Sequence, residues 1–205
     1  MRNQGNGNLF TSVGEERLRL MEEAASTHIA NLFDTLLIDW PNDHNMHDTP
    51  RRVAKMLVQE IFAGRYQPMP KVTTFPNAEN LDELYTTGPI TVRSTCSHHL
   101  MPIYGQCWIG IIPGDRVMGL SKFNRLVDWI CRRPQIQEEM TVQIADLIER
   151  LMSPLALGVV VRAKHMCMTH RGVNEHGDAE MTTSVMRGKL RESAAARAEF
   201  FSLIK

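Results

Sequence analysis

An excess of charge of either sign is absent from this sequence. Its 205 residues carry 23 Lys and Arg against 23 Asp and Glu, a formal net charge of zero. That balance excludes a strongly basic nucleic-acid binder, though not a local cationic pocket, because net charge is only a sum. Also absent is any apolar run near the ~20 residues that a membrane helix needs. The opening Met1-Arg-Asn-Gln-Gly-Asn-Gly7 has no apolar stretch, so it is not a secretory signal, and a cytoplasmic protein is expected. Aromatics are sparse at 6%. Cysteines number four, in a chain large and apolar enough to do without disulfide staples. In a reducing compartment such cysteines fill the core, bind metal or act as nucleophiles.

What is present is a change of period along the chain. Residues 1–13 read as a mobile arm. From Glu15, Leu18, Met21, Ala25, Ile29, Leu32, Phe33, Leu36 and Leu37 recur at helical steps up to Pro41. Asp48-Thr49-Pro50 reads as a cap and a first-turn proline opening a second helix, with a stripe of Val53, Met56, Leu57, Ile61 and Phe62 that Gly64 ends. After a Pro-rich connector, Ile90–Arg93 and Tyr104–Ile112 read as strands bounded by Gly88-Pro89 and Pro113-Gly114-Asp115. Two helical stretches follow, Ser121–Cys131 and Gln137–Leu151, then strands at Gly158–Ala163 and Met181–Val185 and a short helical tail. The order predicts an α+β fold with mainly antiparallel pairing.

Chemistry concentrates in Thr95-Cys96-Ser97-His98-His99 and, much later, His165-Met166-Cys167. Cys96 and His99 are close enough for one turn to present both to a single ion, and Cys167 would complete a Cys-His-Cys set. Zn²⁺ suits mixed thiolate and imidazole donors, and three protein ligands leave a fourth position for water, the pattern of a catalytic site. His98 and His165 remain beside the ligands as proton carriers, since imidazole titrates near neutrality. On spacing alone the bland alternative stays open, because buried cysteines often act as small hydrophobes. For Cys107, on a strand, and Cys131, on a helical stripe, the core reading is the better one.

A second cluster is Gly119-Leu-Ser121-Lys122-Phe-Asn124-Arg125, followed by Arg133-Pro-Gln-Ile-Gln137-Glu138. Ser121 would cap a helix whose first turn carries Lys122 and Arg125, a natural anion site. Taken alone, such residues more often form a solvated helix face. Arg171 adds a cation if the chain folds back, and a buried Glu138 would accept two N–H bonds from a purine edge.

Together these segments, in this order and with Thr49-Pro-x-Arg52, resemble the GTP cyclohydrolase I family from about Thr49 to the C-terminus. The resemblance implies conversion of GTP and water to 7,8-dihydroneopterin triphosphate and formate. Cys96, His99 and Cys167 would hold Zn²⁺, whose water attacks purine C8. Ring opening, deformylation, an Amadori rearrangement and ring closure follow. His98 and His165 match the proton-shuttling histidines, Ser121 the serine of the later ribose steps, and Gln137 is counted with the catalytic group. Glu138 matches the carboxylate that grips guanine, Lys122, Arg125 and Arg171 the triphosphate anchors, and Arg52 a further basic contact. The product would enter pterin and tetrahydrofolate biosynthesis.

The implied fold is the tunnelling fold, or T-fold: an antiparallel sheet with helices on one face, its barrel completed by oligomerisation into a homodecamer with active sites between subunits. The arm and helical part would span 1–66 and the T-fold catalytic domain 67–205. Neither a membrane nor a nucleic acid is expected as a partner. Ser97 stands where the family is commonly acidic, and Asn174–Glu180 is more acidic than the family pattern, with His170 and His176 read as solvated loop residues. The short arm argues against regulation through a longer extension. Two other readings are a divergent relative that stops at a ring-opened product and a non-catalytic nucleotide-binding oligomer.

Overall fold

Two apolar periods, near 3.6 and then near 2, succeed one another along the chain, and the architecture follows them. The computed structural model describes residues 4–204, which form two units, one ending at Pro68 and one starting at Met69. Among the described residues, no helix is long and apolar enough to cross a membrane.

In the first unit, α1 (Glu15–Thr35) starts with Glu15 and Glu16 at its positive end. Its stripe of Leu18, Met21, Ala25, Ile29 and Phe33 is half-buried, and α1 packs on α2 (Thr49–Lys55). A π-helical turn, Met56–Ile61, continues α2 and closes with Phe62 N–H on Leu57 O at 3.1 Å. Then α3 (Ala63–Tyr66) follows.

Four expectations change in this unit. Leu36 and Leu37 lie past the end of α1, and Leu37 is 92% exposed with a positive φ of 57°. Asp48 stands at the N-cap of α2 without capping it. Its carboxylate instead accepts from Arg51 Nε and Nη2 (2.8 and 2.7 Å) and Arg52 Nε (3.1 Å), and the Arg51 bond leads in holding its pKa at about 2. Gly64 lies inside α3, because the π turn has already broken the helix before it. Of the predicted mobile arm, residues 1–3 lie outside the described residues. The rest is docked: Asn8 Nδ2 donates to Gly64 O and Gln67 O (2.9 and 2.8 Å), Leu9 N–H bonds Arg65 O, and Val13 is buried.

The second unit holds a two-stranded ribbon of β1 (Thr74–Pro76) with β4 (Arg116–Met118), and a five-stranded sheet. The sheet strands are β2 (Tyr85–Cys96), β3 (Pro102–Ile112), β5 (Pro134–Gln135), β6 (Ala156–His165) and β7 (Met181–Gly188), in the order β5-β2-β3-β6-β7. All pairs are antiparallel except β2 with β5. Gly88-Pro89, expected to bound a strand, lies within β2, where the register to β3 shifts between Thr87 and Ile90. Gly88 has φ +141°, and a Cβ there would sit 2.9 Å from Cys107 O, so the bulge requires glycine.

Period-2 alternation sends Cys107, Ile109 and Ile111 of β3 and Leu157, Val159 and Val161 of β6 to one face. There they meet α4 (Leu120–Cys131), through Phe123, Leu126, Val127 and Ile130, and α5 (Gln137–Met152), through Met140, Ile144, Leu147 and Ile148. A single turn, α6 (Met166–Thr169), follows β6. The tail, α7 (Lys189–Glu192) and α8 (Ala194–Leu203), packs Leu190 and Phe200 on the opposite face against Trp108, Ile112 and Val160.

Phe200 lies over the cross-strand pair Gly110 and Gly158, where any Cβ would overlap its ring. Gly158→Val is therefore expected to lower stability by about 1–3 kcal/mol through overpacking. The urea midpoint measures this, and adding Phe200→Leu should recover part of the loss.

Candidate active site

Strands β2 and β6 both flank β3 and run opposite to it, so their C-terminal ends arrive at the same edge of the sheet. Strand β2 ends at Cys96, the loop to β3 runs from Ser97 to Met101, and β6 passes through His165 into α6 with Cys167. Cys96 N–H donates to Met101 O at 2.8 Å and Leu100 N–H to Cys96 O at 2.9 Å, with Leu100 at φ 53°. This tight turn puts Cys96 and His99 on the same side.

The result is a group of three: one ligand atom each from Cys96, His99 and Cys167, all within 4.8 Å of one another. Bond lengths of ~2.3 Å to sulfur and ~2.0–2.1 Å to nitrogen place tetrahedral ligand atoms roughly 3.5–3.8 Å apart, so a small adjustment closes this set on one ion. Cys96 is buried, Cys167 half-buried and His99 exposed, which leaves the site approachable from one side. Burial raises the Cys167 thiol pKa, and the adjacent Cys96 thiol adds to the rise, while Arg171 opposes it. Two thiols and an imidazole drawn this close are a fitting receptor for a divalent cation, which takes the place of the thiol protons.

Beside this group stand the two other imidazoles. His98 is exposed, its Nδ1 3.9 Å from Cys96 Sγ. His165 Nε2 lies 2.8 Å from Gln137 Oε1. The fully buried Gln137 donates from Nε2 to Val161 O (3.1 Å), Met181 O (3.0 Å) and Thr183 Oγ1 (3.1 Å). Carbonyls only accept, so these contacts fix the amide orientation and make His165 Nε2 the donor, leaving Nδ1 as the free basic nitrogen. Burial lowers the His165 pKa, favouring the neutral ring, and the Glu138 charge works the other way.

A sequence model of the family described as GTP cyclohydrolase I matches residues 25–205. The chain belongs to the GTP cyclohydrolase I family of enzymes. It is 46% identical to "GTP cyclohydrolase 1" of Mycobacteroides abscessus over 166 residues, 80% of each chain. With the protein of that name from Bacillus cytotoxicus the identity is 44% over 179 residues, 87% of this chain and 94% of the relative. With that from Vibrio vulnificus it is 38% over 180 residues, 87% and 82%. The T-fold of the family accounts for the sheet and the two long helices on one of its faces.

The structure thus brings Cys96, His98, His99, His165 and Cys167 together with Gln137, Glu138 and Arg171. Ser121, Lys122 and Arg125 stand in the first turns of α4, exposed or half-buried, and among the described residues no hydrogen bond or ion pair joins them to that cluster. Gly119, not Ser121, is the N-cap of α4. Arg52 belongs to the helical unit, with its Nε on Asp48. Glu138 is exposed, at the first turn of α5. A cavity of about 70 Å³ beside His165 is lined by Met168, Thr169, Ala179, Glu180 and Met181. It is far below the ~300 Å³ at the lower end of ligand pockets.

Cys107 and Cys131 are fully buried, and their thiol pKa values rise by desolvation, Cys131 to about 12. They are unreactive core residues. Loop 174–180 folds back rather than floating: Lys164 Nζ pairs with Asp178 Oδ1 at 3.1 Å and Glu175 N–H bonds Met168 O at 2.9 Å. His170 and His176 are exposed.

Thr141 and Thr183 escaped the sequence reading. Thr141 Oγ1 donates to Gln137 O (2.8 Å) and lies 2.7 Å from Thr183 Oγ1, closing a ring that locks Gln137. The available signal was a Thr four residues after Gln137 on the apolar stripe of α5.

Proposed function

We propose that this chain hydrolyses GTP to 7,8-dihydroneopterin triphosphate and formate at a zinc centre of Cys96, His99 and Cys167. The observation that carries the reading is the convergence of those three ligand atoms with two further imidazoles at one sheet end in a member of this family. Zinc, when bound, supplies the Lewis acidity that makes water a nucleophile near pH 7.

The chain's own residues do the rest. His165, oriented by Gln137, presents Nδ1 to take and return a proton during opening of the imidazole ring. His98, exposed next to Cys96, carries the second proton needed when formate leaves. Glu138 accepts two N–H bonds from the guanine edge, which selects against adenine because that carboxylate would then go unpaired. Ser121 serves the later ribose rearrangement and reclosure. Lys122, Arg125, Arg171 and Arg52 neutralise the triphosphate, with the arginines able to engage it bidentately.

We read residues 1–66 as the arm and helical part and 67–205 as the catalytic domain. The working unit in this reading is a homodecamer with active sites between subunits. Two features support it. Beyond its two-residue pairing with β5, the outer side of β2 has no strand neighbour among the described residues, and β7 is an open edge. The α4 anchors are also exposed or half-buried and make no hydrogen bond or ion pair to the ligand cluster among the described residues, so they are open to a substrate that a neighbouring chain helps to hold. Four free cysteines suit a reducing cytoplasm.

Mass spectrometry of the product formed from GTP tests the reading. Dihydroneopterin triphosphate is expected; a ring-opened formamide or unreacted GTP contradicts it. His98→Ala should retain zinc while turnover falls by about 10²- to 10⁴-fold, measured by metal analysis and kcat on the same preparation.

A further inference from the structure

The ligand loop has a second support that the reaction chemistry does not use. Gln135, in β5, is 1% exposed. Its Nε2 donates to Ile130 O (2.7 Å) and Cys131 O (3.3 Å), carbonyls of the last turn of α4, and to Ser94 Oγ (3.2 Å). Ser94 Oγ in turn donates to Arg133 O at 3.3 Å. The Gln135 backbone faces Cys96 directly in the parallel β2–β5 pairing, and its carbonyl accepts from Ser97 N–H at 3.1 Å. One residue therefore binds α4 through its side chain and the start of the ligand loop through its main chain.

We propose that Gln135 is a positioning residue for the metal loop, fixing Cys96 and the Ser97–His99 turn against the end of α4. Its side-chain amide satisfies carbonyls that the end of α4 leaves without intrahelical partners, and so holds β5 where it pairs with Cys96. β5 is only two residues long. The adjacent Arg133 anchors it toward α5 and Trp129, with Nη1 on Gln143 Oε1 at 3.2 Å and the guanidinium 4.1 Å from the Trp129 ring, while the Gln135 amide ties it to the last carbonyls of α4. The loop would then reach the ion preformed, and the same tie couples it to the helix that carries Ser121, Lys122 and Arg125 at its other end. Outer supports of this kind typically change metal affinity by about 10- to 100-fold when removed. This inference rests on the zinc reading above.

Gln135 Oε1 has no hydrogen-bond partner among the described residues, so Gln135→Met deletes only the Nε2 bonds while keeping the volume. The test is zinc affinity by competition with a chromophoric chelator, with the cobalt(II) absorption spectrum as a readout of ligand geometry. Gln135→Met is expected to weaken zinc about 10- to 100-fold and alter the cobalt spectrum. Ser94→Ala should give a smaller loss in the same direction. Ile130→Val, a core truncation on the same helix, should lower the unfolding midpoint and leave zinc affinity unchanged.

Zinc affinity of Gln135→Met within about twofold of the unsubstituted protein, well short of the expected loss, overturns the proposal, as does an equal loss in Ile130→Val. Should Gln135→Met fail to fold, Ser94→Ala decides against Ile130→Val, and unchanged affinity in Ser94→Ala contradicts the proposal. An unsubstituted protein that binds no zinc overturns the zinc reading itself, and this inference with it. That result is distinct from a normal metal site that ignores Gln135.

Discussion

Cys167→Ala is expected to lose zinc and GTP turnover together. Cys167 is one of three ligand atoms drawn within 4.8 Å, and a site with one thiolate and one imidazole lacks both the charge and the count that zinc favours. The loss of affinity should exceed the roughly 10- to 100-fold cost of removing an outer support, so the purified variant should carry little metal. Fold should survive, because Cys167 is only half-buried, in the single turn α6 that follows β6. The matched control is Cys131→Ala, which removes a fully buried thiol with a pKa raised to about 12. That variant should keep its zinc and lose only packing energy. Metal content and turnover measured on both variants separate a ligand from a core cysteine.

Gln137→Met should destabilise the fold more than Gly158→Val or Cys131→Ala, with a separate effect on rate. The Gln137 amide donates to two backbone carbonyls and Thr183, and its oxygen accepts from His165. Methionine fills similar space but leaves Val161 O and Met181 O buried without their donor. Each such group costs about 1–3 kcal/mol, so a loss of roughly 2–6 kcal/mol is expected from urea unfolding. His165 also loses the partner that fixes its tautomer, and turnover should fall by about 10- to 100-fold. Zinc content should stay unchanged, since the Gln137 amide bonds Val161, Met181, Thr183 and His165 and neither the loop that presents Cys96 and His99 nor the α6 turn that carries Cys167. A variant with normal turnover would show that His165 does not depend on this orientation.

Much of the fold was legible because its signals are local. The stripe Phe123, Leu126, Val127, Ile130 and the stripe Met140, Ile144, Ile148 announce α4 and α5 by period alone, and β3 and β6 show in their β-branched runs. Differences arise where a local rule meets a tertiary or neighbouring partner. Asp48 has the residue type and position of a cap, yet two nearby arginines hold its carboxylate. Pro89 suggests the end of a strand, but β2 tolerates it at a bulge where its outer side has no neighbour to donate to. The polar, Gly-containing segment before Val13 suggests free chain, and Asn8 instead bonds the carbonyls around α3.

The candidate site divides in the same way. Cys96 and His99 are readable as a pair because three residues span one turn. Cys167 joins them only because β2 and β6 flank a common neighbour, a long-range fact that spacing does not encode. Family resemblance bridged that gap. It did not reveal the Thr141–Thr183 ring or the Gln135 tie, whose partners come from elements distant in sequence. The zero net charge of the chain likewise concealed Lys122, Arg125 and Arg171, three exposed or half-buried cations assigned to one polyanionic substrate.

Zinc-dependent turnover of GTP stands or falls on zinc, neopterin and formate quantified in one sample of the protein incubated with GTP. Zinc-loaded protein should release formate and oxidisable neopterin in equal amounts, lose both after chelation, and regain both when zinc is added back. Protein with a full complement of zinc that leaves GTP intact would contradict it.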